Sequence, residues 1–222
     1  LCQENLTDAL ACAQEVIDSK RFEFMNDSIN NVYAYRNLSY IEKMARHEYV
    51  SSLYVYDLKE GRSDLFFKNL ASCECVIAEG RKASIYSGMG QDLDIRSKNW
   101  FETPAGSATE YVNKYMRGTQ IPLLKLSEMY LIAAEASGDI RYLETLRANR
   151  GYATDPLPAG ANLQDEITKE YQKEFIAEGQ LFYYYKRRNM AILPITSTSM
   201  NRATYVLPVP DNELEFGNFK QN

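Results

Sequence analysis

Three glutamates, Glu170, Glu174 and Glu178, fall four residues apart in the run EITKEYQKEFIAEGQLFYYYKRRNM. On a helix that spacing puts them on one face. Paired carboxylates can run glycoside hydrolysis, one group donating a proton while the other attacks or activates water. That chemistry wants two groups facing across a cleft, usually from different elements. Lys169 and Lys173 lie among these glutamates, so solvated or ion-paired carboxylates on a structural helix are expected, and not an acid–base pair. The other reactive types offer less. The single histidine, His47, sits between Arg46 and Glu48 and reads as a surface residue, with no Ser/His/Asp set around it. Cys73 and Cys75 lack the two-residue spacer and the second pair of a zinc site. With Cys2 and Cys12 they read as free thiols. Gly88 and Gly90 alone do not make a phosphate-binding loop. No catalytic residue, metal or cofactor is expected.

Non-covalent binding suits the remaining residue types better. Sugar rings present apolar C–H faces and a rim of hydroxyls, which a flat aromatic with polar neighbours matches. Trp100, the only tryptophan, is flanked by Asn99 and Phe101, with Tyr86 and Gln91 upstream. Trp100, Tyr86, Gln91 and Asn99 are therefore the candidate ligand contacts. The competing role for Trp100 is to anchor its loop into the core. The chain has 17 tyrosines, most of which are expected to pack between helices with the hydroxyl at the edge.

These residues need a frame. The sequence has 222 residues, 45% hydrophobic and 25% charged, enough for one sizeable core. A formal charge of -5 argues against a nucleic-acid partner, which wants a basic surface. No apolar run approaches the roughly 20 residues that cross a bilayer, and the chain opens polar, LCQENLTD, with no visible leader. Residues 5–20 predict an amphipathic helix capped by Asn5, with Leu6, Leu10, Ala13 and Ile17 on one face. Residues 26–48 read as a loop leading into a short helix, residues 48–58 as a short strand, and residues 86–116 as loop-rich. The run IPLLKLSEMYLIAAEASG, residues 121–138, predicts a helix starting at Pro122 and stopped by Gly138, with apolar stripes facing neighbours on two sides. A second short helix over 139–150 would close a hairpin. A long helix capped by Asn162 would carry Ile167, Tyr171, Phe175, Phe182 and Tyr185 on one stripe. Pro208 and Pro210 exclude a central strand near the end, which reads as an extended strap over 205–218.

The 121–138 run resembles the diPLLRxAEvyLixAEA signature of the SusD/RagB family, surface nutrient-binding lipoproteins of Bacteroidetes. Pro122, Leu123, Leu124, Glu128, Leu131, Ala134, Glu135 and Ala136 match, with Lys125 in place of the usual arginine. The first helix is similar to AxxVIdSGkYxL through Val16, Ile17, Asp18, Ser19 and Phe22. Asp94 and Arg96 resemble a DxR element, read as a structural ion pair, and Lys114–Tyr115 a KY pair. Leu146, Arg147, Asn149, Arg150 and Gly151 resemble the family's NxvRxRAG stretch. Glu170, Glu174, Phe175, Glu178, Gly179, Phe182 and Arg187 match IxxERrxEFxxEGxRxxDLxRW, which the chain leaves at Gln180 and in YYYKR. Pro208, Pro210, Glu213 and Asn218 match the closing yxxPIPxxEixxNP.

The resemblance implies a mainly α fold, a SusD-like α/α superhelix of TPR-like hairpins with long irregular loops and a few short strands. Residues 1–222 would form a single domain, the C-terminal portion of a longer member or a short divergent one. It implies a non-enzymatic protein at the outer-membrane surface that binds an oligosaccharide or other nutrient. The partner would be a SusC-like TonB-dependent transporter, and the only tie to the membrane a lipid anchor outside this chain. Alternatives are a SusD-like peptide binder and a helical-repeat scaffold for other proteins. Family ligand residues vary, so none carries over to a position here.

Overall fold

A computed structural model describes residues 1, 4–24, 46–55, 76–87, 93–103, 110–112, 114, 120–152, 156–194, 198–201, 203–206 and 208–217. Two compact units divide the chain, Leu1–Glu174 and Phe175–Asn222.

The first unit is built on α1 (Leu6–Asp18), whose cap is local chemistry: Asn5 Oδ1 accepts the Asp8 backbone N–H at 3.1 Å. Its inward residue is Ala13, set against Met129 and Ala133, with Leu10, Val16 and Ile17 around them. Leu6, at the helix start, is exposed. Small residues on both sides let the backbones come close. The facing helix is α4 (Leu126–Ser137), ended by Gly138 at φ 72°, whose N–H reaches the Ala134 carbonyl. The chain turns through Asp139, which caps α5 (Ile140–Arg147) by accepting the Arg141 N–H at 2.9 Å. Leu143 and Leu146 of α5 are fully buried. The hairpin expected here is present.

The start of α4 differs from the expectation. Residues Gln120–Lys125 are a strand, labelled β5 by chain order, antiparallel to β1 (Tyr49–Tyr54), with Pro122 opposite Ser52. Proline disfavours the helical region for the residue before it, and it is tolerated in a ribbon with open edges. Strand pairing therefore takes residues 121–125. β1 falls inside the expected strand segment.

The segment expected to be loop-rich holds more order. Within residues 86–116 lie α3 (Ile95–Asn99), β3 (Phe101–Glu102) and β4 (Glu110–Val112); α2 (Arg81–Ile85) and β2 (Val76–Ile77) come just before it, and the three strands form an antiparallel sheet in the order β2, β4, β3. A single π turn, Ala148–Tyr152, follows α5 and packs on α3. Gly151 sits there at φ 102°, and any Cβ would collide with the Leu93 carbonyl oxygen. Last in this unit is α6 (Leu163–Glu174), packed on α4 and α2. Asn162 Oδ1 caps it, taking the N–H groups of Gln164 and Asp165 at 2.9 and 3.2 Å.

The long helix expected from residue 162 onward is two helices. Helix α6 stops at Glu174, the chain turns with Ala177 at φ 60° and Gly179 at φ 75°, and α7 (Gln180–Arg187) begins. Left-handed residues break the helical hydrogen-bond ladder, so a continuous apolar stripe cannot continue through them.

In the second unit, α7 buries Tyr184 and Tyr185. The ribbon β6 (Ile192–Leu193) and β7 (Thr198–Ser199) follows. The turn at residues 203–205 places the Tyr205 hydroxyl to donate to the Met190 carbonyl at 2.9 Å. Residues 208–210 are not in a strand, but α8 (Asp211–Phe216) occupies much of the expected strap. Asn218 lies outside the described residues, as do Cys2, Cys73, Cys75, Gly88, Gly90, Gln91 and Tyr115.

Candidate functional site

Two of the three spaced glutamates lie at the centre of a buried charge cluster. Glu170 and Glu174, one turn apart on α6, are both about 1% exposed or less. Asp94 caps α3 by accepting the Arg96 N–H at 2.9 Å. The same carboxylate takes the Arg96 side chain through Nε at 3.0 Å and Nη2 at 2.8 Å. The guanidinium then reaches α6, with Nη1 on Glu174 at 3.0 Å and Nη2 on Glu170 at 2.8 Å. Arg150, on the π turn, makes the second bridge. It is bidentate to Glu48 at 2.8 and 2.7 Å and donates to Glu174 at 3.2 and 3.0 Å. Lys173 donates to Glu170 at 2.9 Å, and Arg147 lies 3.4 Å from it. Lys169 pairs outward with Glu166. Lys114 and Lys125 reach the Glu174 backbone carbonyl at 2.5 and 3.3 Å. They satisfy a group that a helix end otherwise leaves unpaired.

The electrostatics follow. Burial alone would raise the Glu170 carboxyl, but Arg96, Lys173 and Arg147 outweigh it and hold the group at about 2. Burial opposes ionisation of Glu174 too, and Arg150, Lys125 and Arg96 hold it well below the carboxylate range. Burial disfavours the charged guanidinium of Arg96, but Asp94, Glu170 and Glu174 push its affinity for the proton up. Two permanently ionised, guanidinium-bound carboxylates cannot serve as the protonated acid that glycoside hydrolysis needs. Glu178 is not their companion, because the helix ends at Glu174. The Asp94–Arg96 pair is structural, as expected, and it ties α3 to α6.

The candidate aromatics border the same cluster. Tyr86 is fully buried; its hydroxyl donates to the Lys173 carbonyl at 3.1 Å and its ring meets Phe101 edge-on at 5.7 Å. Burial, ahead of the nearby charges, pushes its phenol well above 10. Trp100 is 1% exposed, with the Lys114 ammonium 3.8 Å from its ring centroid. That is the position of an anchor. Asn99 is half-buried and donates to the Ile95 carbonyl at 2.9 Å, inside α3. The structure brings Tyr86 into ring contact with Phe101 and sets Trp100 against Lys114, and no ring face of Tyr86 or Trp100 is open to solvent. His47 is exposed and Cys12 is a free, exposed thiol.

Sequence reasoning missed the role of Glu48, read as a neighbour of His47 and the first residue of a short strand, and its pairing with Arg150. Glu48 ends a one-turn 3-10 helix just before β1 and carries no local mark of burial; its partner lies 102 residues away. It also read Phe182 as part of a buried stripe, whereas Phe182 and Tyr183 are exposed.

No family model and no curated protein sequence matches the chain. Two solved structures match its fold. One is a protein assigned as sugar-binding from Bacteroides vulgatus, with a TM-score of 0.69 and 21% identity. The other is surface glycan-binding protein A from Bacteroides thetaiotaomicron in complex with laminarihexaose, with a TM-score of 0.66 and 16% identity. The matches cover 98% and 100% of this chain but only 55% and 61% of those chains. The chain thus has the mainly α, SusD-like fold that its motifs imply, and it spans little more than half the length of the solved structures it matches.

Proposed function

We propose that this chain is the C-terminal part of a SusD-like surface protein that captures a glycan. On this reading it makes and breaks no bonds, and it hands its ligand to a SusC-like TonB-dependent transporter at the outer membrane, where a lipid anchor outside this chain holds it. The observation that carries the reading is the fold likeness over the entire chain to a glycan-binding protein that holds laminarihexaose. The carboxylates best spaced for hydrolysis are consumed in ion pairs, which supports binding without turnover. Calorimetric titration with laminarihexaose, maltohexaose, cellohexaose and a set of short peptides tests it. Saturable binding of one glycan class at micromolar to millimolar affinity, with the sugar recovered uncut, is the expected result. Binding of peptides alone would move the protein to the peptide-binding alternative. Silence from every probe would leave the protein scaffold as the better account.

A further inference from the structure

A sugar that stacks on this protein needs an aromatic face open to water, and the structure narrows where that face is. Trp100 and Tyr86 are closed off. Among the described aromatic residues only Tyr54, Phe182 and Tyr183 are exposed. Tyr54 is at the end of the β1–β5 ribbon. Phe182 and Tyr183 are adjacent on α7 and in ring contact, centroids 5.9 Å apart and nearly perpendicular. Phe182 is braced from its other side by the Tyr205 ring at 5.7 Å. Tyr205 is itself fixed, 3% exposed with its hydroxyl tied to the Met190 carbonyl. So one exposed ring is held by a second, and the second by a buried third.

The neighbourhood is amphipathic in the way a pyranose requires. Tyr183 is 71% exposed and Phe182 37%. Helical spacing sets Gln180 one turn before Tyr183 and Arg187 one turn after it. Amide and guanidinium groups recognise ring hydroxyls, while the aromatic faces take the C–H surface. Two rings at a steep angle offer a stacking face and a wall, and a tyrosine gives up little side-chain freedom on binding.

We propose that Phe182 and Tyr183, braced by Tyr205, form a platform on the second unit for a neutral oligosaccharide, stacking one pyranose ring on Tyr183. This rests on the glycan-binding reading and locates its contact. All three rings of the platform belong to the second unit.

The test is affinity electrophoresis and calorimetry of the full chain against laminarihexaose, maltohexaose and cellohexaose, with Tyr183→Ala, Tyr183→Phe, Phe182→Ala and Tyr54→Ala. Because Tyr183 points into solvent, its replacement leaves folding intact, checked by far-UV circular dichroism. The platform predicts that Tyr183→Ala weakens binding of the sugar that the unaltered chain binds by about tenfold or more. Tyr183→Phe keeps most of it, Phe182→Ala weakens it, and Tyr54→Ala has no effect. Unchanged affinity in Tyr183→Ala, with the unaltered chain binding, overturns the platform and leaves the glycan reading standing. Loss confined to Tyr54→Ala overturns it in favour of the ribbon. If the unaltered chain binds none of the three sugars, the glycan reading itself falls, and the platform with it.

Discussion

Glu174 joins separate stretches of chain through one side chain and one carbonyl. Its carboxylate receives Arg96 and Arg150, and its carbonyl receives Lys114 and Lys125. Replacing it with glutamine keeps the shape but turns amide N–H groups toward guanidinium donors and leaves buried cations under-neutralised. Breaking a buried ion pair by removing one partner costs about 3–5 kcal/mol, and we expect Glu174→Gln to lose that order of stability in urea unfolding at neutral pH with an unchanged slope. A loss under about 1 kcal/mol would mean that the cluster relaxes toward solvent. Glu170 sets the pH response. Its carboxyl titrates at about 2 in the folded chain against an ordinary 4.5. A depressed folded value stabilises fully above the unfolded value and is lost as pH falls through the folded one. The unfolding midpoint should therefore hold from neutral pH to about 4.5 and fall steeply between there and about 2, by an amount on the order of 3 kcal/mol from this group. A flat midpoint across that window would contradict the pairing.

At the scale of elements, two left-handed residues make opposite predictions. Gly151 occupies φ 102° with the Leu93 carbonyl where a Cβ would stand. Gly151→Ala must carry both the conformational penalty and a backbone clash between the π turn and the residue leading into α3. A loss of about 2 kcal/mol or more is expected, read as a lowered thermal midpoint. Ala177 is exposed at φ 60°. Glycine there relieves about 1–2 kcal/mol of left-handed strain while adding about 0.4–1 kcal/mol of unfolded-chain entropy. Relief of strain outweighs the added entropy, so Ala177→Gly should raise the midpoint slightly. These elements also show what a sequence discloses. Asn5, Gly138 and Asn162 were readable because a cap is settled within a few residues. Pro122 was not, because pairing with Ser52, far earlier in the chain, took it into a strand. The α6–α7 break hid behind apolar residues that kept a helical period across it, although Gly179 was a signal. The cluster's members were visible as motif residues, but Glu48–Arg150 and Arg96–Glu170 are joined only by the fold. Trp100 was visible as a residue with two futures, and its burial under Lys114 is a tertiary fact that spacing does not carry.

At the scale of the molecule, the charge distribution separates two kinds of ligand. The chain carries a formal charge of -5. Among the described residues, the buried cations Arg96, Arg147, Arg150, Lys114, Lys125 and Lys173 outnumber the buried carboxylates Glu48, Asp94, Glu170 and Glu174. Setting these buried groups aside leaves the rest of the sequence at a formal charge of -7, from -5 in total less +2 in the cluster, and an excess of that sign disfavours anionic ligands. A neutral oligosaccharide is recognised by stacking and hydrogen bonds, and neither is screened by salt, whereas charged contacts at an exposed surface weaken as the screening length shortens from about 30 Å at 0.01 M to about 3 Å at 1 M salt. Titrating the bound glycan across that range should change its affinity by less than about twofold. An affinity that falls steeply with salt would mean that surface charge dominates recognition, and would point the search to charged ligands, acidic or basic peptides included, ahead of neutral sugars.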